Sequence, residues 1–599
     1  MNLAALQHKA FDNFCYPLDE NTLEINLLTA KDVKKVILVY GDPFSGGIMG
    51  GDWKWQGTEL EMVCSAELQY NYKWTQTIKP EFKRARYYFK IYGENESFIF
   101  CEKDICDIDE TLYYGFFTFP WMNPCDVIKV PEWAVNTVWY QIFPSRFSRG
   151  KNRYKQENLL EWAEPDVKME HVPGKPEPCY GGNLSGIIDR LAYLKELGIS
   201  GIYMTPINKA HSQHKYDTTD YLKIDPSFGD RKIMKKLVRA SHERGIRVML
   251  DGVFNHSGYF FKPWQDVLKK REKSKYKDWF MINDFDFGEP GFGKNGNAGK
   301  GKFYSFAFVD YMPKLNTNNP RVRDYICSVC ERWVKDYDID GLRLDVANEI
   351  SHVLCQELRT RMNKLKPDFY IIGEIWHNSL PWLRGGEFDS VMNYPLQNSI
   401  ADFCIDEKIS SKDFEYAINN CYSMYPRQIN RVLFNQMDSH DTIRILNRMK
   451  MDKDLARLAL VLLFSMPGSA CIYYGTEILL EGGHDPDCRR CMPWSHIQNG
   501  EYDKELAFMK ALIHLRKTHP AMTGSYISFC KTASETVQSN RVVKFEKTSE
   551  DKAEKLLVIV NCGNESVSCP EISGQASVLF SQNYKDSVLG ENGFVIVSL

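Results

Sequence analysis

Residues 247–254 read RVMLDGVF and lead into Asn255 and His256. Val248, Met249 and Leu250 are continuously apolar, which suits a strand buried on both faces, and the run then meets Asp251. A charge at the end of such a strand is costly unless it is paired or used. The same grammar recurs along the chain. GLRLD (341–345) ends in Asp345 and YIIGE (370–374) ends in Glu374. NTVWYQIF (136–143), ISGIYMTP (199–206), SVMNY (390–394), LFNQMD (433–438) and ACIYYG (470–475) complete a set of eight apolar runs. Between most of them lie helical patterns; in LSGIIDRLAYLKELG, Ile187, Leu191, Leu194 and Leu197 fall on one face. Eight strands alternating with helices predict an α/β fold, a (β/α)8 barrel whose active site lies at the carboxyl ends of the strands.

Around that unit the pattern changes. Residues 1–122 carry short alternating runs such as TLEINLLTA and RYYFKIYG, with turn signals at Gly41-Asp42-Pro43 and Gly93-Glu94-Asn95, and predict a β-sandwich. Residues 123–521 hold the barrel, with a loop subdomain B expected at about 257–320. Residues 522–599 return to short alternating runs and predict a second small β-sandwich. Length alone points the same way, because 599 residues exceed what one core supports.

Composition removes other classes. Lys plus Arg is 75 against 78 Asp plus Glu, a net charge of −3, which argues against a nucleic-acid partner. Mean hydropathy is −0.40, and no run of eighteen apolar residues suggests a membrane span. The amino end has no basic leader or apolar run of a signal peptide, and 17 cysteines, an odd number, suit a reducing compartment, so a cytoplasmic protein is expected. Cys327 and Cys330 lie in a helical pattern and read as buried small residues. The Gly-Lys run GFGKNGNAGKGK (291–302) lacks the spacing of a phosphate loop and reads as a solvated loop.

The strand ends then define a chemistry. Asp251, Asn255 and His256 follow the third run; Arg343 and Asp345 the fourth; Glu374 the fifth; His440 and Asp441 the seventh. One carboxylate at a strand end is ordinarily a cap or an ion-pair partner; several on successive strand ends are not. Retaining glycosidases need two carboxyl groups about 5–5.5 Å apart. Neighbouring strands are about 4.8 Å apart. Asp345 and Glu374 therefore suit a nucleophile and a general acid/base. Arg343 shares a face with Asp345 by the two-residue period of a strand and is expected to keep it ionised. Burial and neighbouring carboxylates are expected to keep Glu374 protonated.

DGVFNH (251–256), GLRLDVANE (341–349), IIGEIWH (371–377) and MDSHD (437–441) closely resemble, in order, the four signature regions of the α-amylase family, glycoside hydrolase family thirteen. The resemblance implies Asp345 as nucleophile, Glu374 as acid/base and Asp441 as the third carboxylate, which grips sugar hydroxyls. It implies that Arg343, His256 and His440 line the central subsite, that Tyr216 in HKYDTTDY is the aromatic platform under that sugar, and that Asp485 and Arg489 in DPDCRRCMPW hold the next one. MPKLN (312–316) and VANE (346–349) are similar to neopullulanases, cyclomaltodextrinases and maltogenic amylases, as are YGDPF (40–44) and VPEWAVNTVWYQIFPSRF (130–147). This subgroup implies a starch-binding-type amino-terminal module, a homodimer through that module, and α-glucan oligosaccharides, cyclomaltodextrins and pullulan as substrates. It also places Glu349 and Trp376 on the acceptor side. An α-glucan transferase or a sucrose- or trehalose-active relative is the alternative; a non-catalytic glucan-binding barrel is disfavoured because all three carboxylates are present.

The chain also departs from the pattern. No cofactor is expected to be required. The segments in which relatives carry acidic calcium ligands read SRGKNRYKQEN (148–158) and GGNL, with Asn183, leaving Asn255 as a calcium candidate without evident partners. Cys488 and Cys491 stand beside a sugar subsite as substituted small residues, where Arg489 and Arg490 are placed to lower a thiol pKa.

Overall fold

The computed structural model describes residues 1–45, 55, 57–110, 112, 114–151, 159–170, 177–288, 298–530, 540–572 and 577–599. Each of the eight apolar runs contains a strand: β1 (Val138–Ile142), β2 (Gly201–Met204), β3 (Arg247–Gly252), β4 (Gly341–Leu344), β5 (Tyr370–Gly373), β6 (Ser390–Val391), β7 (Phe434–Gln436) and β8 (Ser469–Tyr473). They pair in parallel and in sequence order, with β8 returning to β1. A parallel bridge between Met392 and Phe434 closes the ring between β6 and β7.

Alternation along the strands explains why they read as unbroken apolar runs. Trp139, Tyr203, Met249, Tyr370, Ile372, Met392, Phe434 and Cys471 form the cluster inside the ring. Val138, Tyr140, Ile142, Ile202, Met204, Val248, Leu250, Leu342, Leu344 and Ile371 pack outward against the helices. The helical stretch after β1 is two short helices, Leu184–Asp189 and Leu191–Leu197, broken at Arg190. Ile187, Leu191, Leu194 and Leu197 are all buried nonetheless. The first helix lies so close to the chain before it that a Cβ on Gly186 would stand 1.9 Å from the Ser148 carbonyl oxygen. Cys327 and Cys330 are buried on helix Pro320–Tyr337. No described helix is long and apolar enough to cross a membrane.

The long segment after β3 packs Trp264 against Phe280, Phe287 and Phe303 at ring centroid separations of 4.8, 5.9 and 5.1 Å, continuous with the core of the barrel helices. Residues 291–297 of its Gly-Lys run lie outside the described residues. At the amino end, a four-stranded and a six-stranded antiparallel sheet enclose Ile25, Leu27, Leu38, Trp74, Tyr87, Phe89 and Ile91. This unit is clamped to the barrel by Asp12–Arg384, Glu24–Arg427 and Glu67–Lys412. At the carboxyl end is one six-stranded antiparallel sheet. Val543, Phe545, Val558, Val560, Phe594 and Ile596 on one face join the core of the barrel helices. Val542, Leu557, Ile559, Val595 and Val597 on the other face form a separate cluster.

Helix Asp503–Thr518 is tied to the turn before β8 by Arg516, which is 1% exposed. Its guanidinium donates to the carbonyl oxygens of Phe464, Met466 and Gly468. Replacing it leaves three buried acceptors unpaired, each a penalty of about 1–3 kcal/mol. Arg516→Leu is expected to lose about 3 kcal/mol or more of stability, read from urea unfolding, while active-site titration of the remaining folded protein stays unchanged.

Candidate active site

The parallel register sets Asp251 of β3 beside Arg343 of β4, and Arg343 beside Ile372 of β5. Asp345 and Glu374 are the first residues beyond β4 and β5. Their N–H groups still extend the ladder, to the Gly252 oxygen at 3.1 Å and the Leu344 oxygen at 2.9 Å. All three carboxyl groups therefore leave adjacent strands at one rim. The fully buried Arg343 joins them: Nη1 lies 2.9 Å from Asp251 Oδ1 and 2.9 Å from Asp345 Oδ1, and Nη2 lies 2.8 Å from Glu374 Oε2. One guanidinium charge serves three carboxyl groups. Burial pushes Asp345 well above the ordinary carboxylate range and Asp251 up to about 6, against the opposing pull of Arg343. The contact expected to keep Asp345 ionised is thus present, and burial acts against it.

A second chain of hydrogen bonds starts on β1, at a residue not singled out in the sequence. Gln141 Nε2 donates to His440 Nδ1 at 2.7 Å, which leaves the proton of the neutral imidazole on Nε2. Nε2 meets the Tyr216 hydroxyl and lies 3.1 Å from Asp441 Oδ2. Tyr216 donates to Asp251 Oδ2 at 3.0 Å, as does Tyr203 at 2.6 Å. The rings of Tyr216 and His440 are near-parallel, with centroids 5.4 Å apart. Burial, reinforced by Arg489, holds His440 neutral by pushing its pKa well down. Burial likewise lowers His256 to about 3, and its Nε2 has no protein partner. Arg489 bridges Asp485 at 2.8 Å and Asp441 at 3.3 Å.

These groups surround a cleft of about 490 Å³. Tyr216, His256, Asp345, Glu374, Trp376, Asp441, Asp485 and Arg489 line it. Arg343 and His440 sit behind that lining. Glu349 does not reach it: its carboxylate pairs with Lys314 at 2.8 Å, so the two motifs MPKLN and VANE touch one another. His214, Phe306, Tyr311 and Asn348 also line the cleft. His214 and Asn348 fall inside the motifs HKYDTTDY and VANE without being singled out there, whereas Phe306 and Tyr311 carry no sequence signal, although Phe306 stacks on His256 at 4.9 Å.

Glu374 is held on every side. Oε2 accepts the Val346 N–H at 3.0 Å, and Oε1 accepts the Trp376 indole N–H at 3.2 Å. Trp376 is itself set by stacking on Tyr394, centroids 3.6 Å apart. Val346 has φ 45° and ψ 47°, the left-handed region. It is the sole β-branched residue with such a φ among the described residues, a conformation costing about 1–3 kcal/mol.

The calcium candidates have other partners. Asn183 caps helix Leu184–Asp189 by accepting from the Gly186 N–H, and also accepts from Ser185. Asn255 Oδ1 accepts from the Lys314 ammonium, which stands where a cation would have to. Residues 152–158 lie outside the described residues. Among the described residues, no group of three or more His, Cys, Asp or Glu side chains is placed to hold a metal ion. Both asparagine side chains are thus committed to protein partners.

The comparisons with known proteins agree with this geometry. Residues 141–523 match the family described as "Alpha amylase, catalytic domain", and residues 1–123 match "Alpha amylase, N-terminal ig-like domain". The chain belongs to the α-amylase family. Within it, the chain is 42% identical over 576 residues to a cyclomaltodextrinase of Geobacillus thermopakistaniensis (strain MAS1), covering 95% of this chain and 93% of that one. It is 40% identical over 570 residues to an intracellular maltogenic amylase of Bacillus subtilis, covering 94% and 92%. A solved structure titled cyclomaltodextrinase superposes over 100% of both chains with a TM-score of 0.88 and 36% identity.

Cys488 and Cys491 lie on either side of Arg489 and Arg490 at the cleft. Cys488 is wholly buried and its thiol donates to the His440 carbonyl at 3.1 Å. Cys491 packs with Met169 and Tyr180. Burial pushes the two thiols up to about 12 and about 11, reversing the expectation that the neighbouring arginines activate them. Both are expected to stay protonated from pH 7 to 9. Iodoacetamide in this range should leave both unlabelled by mass spectrometry in the native enzyme, and should label them after denaturation.

Proposed function

We propose that this α-amylase-family hydrolase cleaves α-1,4-glucosidic bonds with retention in cyclomaltodextrins, maltodextrins and pullulan, with transfer to sugar acceptors as a side reaction. The observation that carries the reading is the Arg343 clamp, which gathers two carboxyl groups from adjacent strand ends on the cleft wall beside Tyr216. Asp345 attacks the anomeric carbon as Glu374 gives its proton to the leaving glycosidic oxygen. Glu374 then takes a proton from water, and that water displaces Asp345 to restore the α-configuration. Tyr216 is the platform beneath the sugar at the cleavage point. His256 offers its unpartnered Nε2, and Asp441, Asp485 and Arg489 bind hydroxyls of this sugar and the next. Trp376, half exposed and beside Glu374, faces the acceptor side, with Glu349 acting there through Lys314.

The subgroup relation also supports a homodimer through the amino-terminal module. That module exposes Phe44, Phe82 and Trp121 around Arg84, whose guanidinium carbon lies 4.6, 5.9 and 5.9 Å from their rings. A patch of this kind suits contact with a second copy. A cytoplasmic location is supported by the name of the Bacillus subtilis relative. The occupied asparagines support activity without calcium.

Asp345→Asn is expected to lower kcat by at least about 1000-fold while binding of maltodextrins, measured by calorimetry, survives; wild-type turnover would refute the nucleophile. Digestion of pullulan should release panose, with cyclomaltodextrin opened faster than soluble starch; maltotriose from pullulan would instead show α-1,6 cleavage. Incubation with EDTA should leave both Tm and kcat unchanged, whereas a calcium-reversible loss would show a site that Asn183 and Asn255 do not supply.

A further inference from the structure

Val346 lies between the proposed nucleophile and a surface helix turn, and its side chain lines the cleft. Its backbone is in the left-handed region at a residue type that avoids it. A local fold kept against that preference has to be held in place by its surroundings. The Val346 oxygen accepts the Glu349 N–H at 3.0 Å, and the N–H groups of the turn run to one residue. The Val346 N–H reaches Glu374 Oε2 at 3.0 Å and the Ala347 N–H reaches the Glu374 main-chain oxygen at 3.1 Å. The Glu374 N–H returns to the Leu344 oxygen at 2.9 Å. Oε2 therefore has two protein contacts, Val346 N–H and Arg343 Nη2 at 2.8 Å. Oε1 has the longer contact from Trp376 at 3.2 Å.

We propose that Val346 is a positioning residue: its left-handed backbone aims its N–H at Glu374 Oε2, fills that oxygen, and leaves Oε1 to carry the proton delivered to the leaving group. The nucleophile and the acid/base are thereby set by one backbone turn, because Asp345 immediately precedes the residue that orients Glu374. This rests on the assignment of Glu374 as acid/base made above.

Replacing the Val346 N–H by an ester oxygen (2-hydroxyisovalerate in place of valine) deletes the donor and keeps the side chain. The variant is expected to lose at least about tenfold in kcat on maltodextrin, with KM within about twofold. It should lose far less on an aryl maltoside whose leaving group needs no proton. An N–H donor favours the carboxylate, so its removal should move the basic limb of the kcat/KM profile to higher pH. Glu374→Gln, run in parallel, should show the same leaving-group contrast. If it does and the ester variant keeps both the wild-type ratio and the wild-type basic limb, the role of Val346 is overturned. If Glu374→Gln shows no contrast, the acid/base assignment falls instead. Should the ester variant not fold, the unmodified enzyme decides: the Val346 amide nitrogen shift, assigned by its loss in Val346→Ala, must titrate with the basic limb and stop doing so in Glu374→Gln. A shift that ignores that limb overturns the proposal.

Discussion

A single buried guanidinium orders this active site. Arg343 is fully buried and is paired with carboxyl groups from three consecutive strands, Asp251, Asp345 and Glu374. A buried charge of that kind is tolerated only when its partners are fixed. The barrel fixes them: parallel register sets Asp251 beside Arg343, and the ladder bonds of Asp345 and Glu374 hold those two just past the ends of β4 and β5. The dependence also runs the other way. Without Arg343, three acids on adjacent strands would face each other across a dry interior, and the upper layer of the barrel would carry unbalanced charge. Charge balance and strand order are one constraint in this fold.

The barrel was largely legible because its strands are buried on both sides. Runs such as VMLD and YIIG cannot be mistaken for half-exposed strands, and their charged ends point to one rim. Asp345 and Glu374 could be paired from sequence because register between neighbouring parallel strands follows from strand order. What could not be read was contact across the ring. Gln141 sits in an otherwise apolar strand and meets His440 299 residues later in the chain. Lys314 and Glu349 each look like surface charges until the loop after β3 folds back onto the turn after β4. Val346 looks like ordinary core, since sequence does not report the sign of φ. The burial that opposes the ionisation of Asp345 is hidden for a related reason: the neighbouring charge is visible in sequence, whereas the depth of burial is not.

The flanking sheets obey the same rule of burial. The carboxyl-terminal strands Val542–Thr548 and Lys555–Asn561 send alternate residues to the barrel helices and to a second cluster, so their apolar patterning is nearly continuous. The amino-terminal unit is held through ion pairs as well as packing, and leaves Phe44, Phe82 and Trp121 outside its own core. Apolar area is thus buried where the carboxyl-terminal sheet meets the barrel and left exposed on the amino-terminal unit.

The closure of the ring has a mechanical meaning. Most neighbouring strands share three or four paired positions, whereas β6 is only Ser390–Val391 and meets β7 through the single bridge Met392–Phe434. A side-chain bond between Asn393 and Asn435, 2.9 Å long, stitches the same joint. Elements with few ladder bonds are the ones that open first in local fluctuations. The next residue, Tyr394, is the ring on which Trp376 rests. The ring therefore has its fewest ladder bonds beside the residue that supports Trp376, whereas β3, β4 and β5, which lead to Asp251, Asp345 and Glu374, share four paired positions at each join.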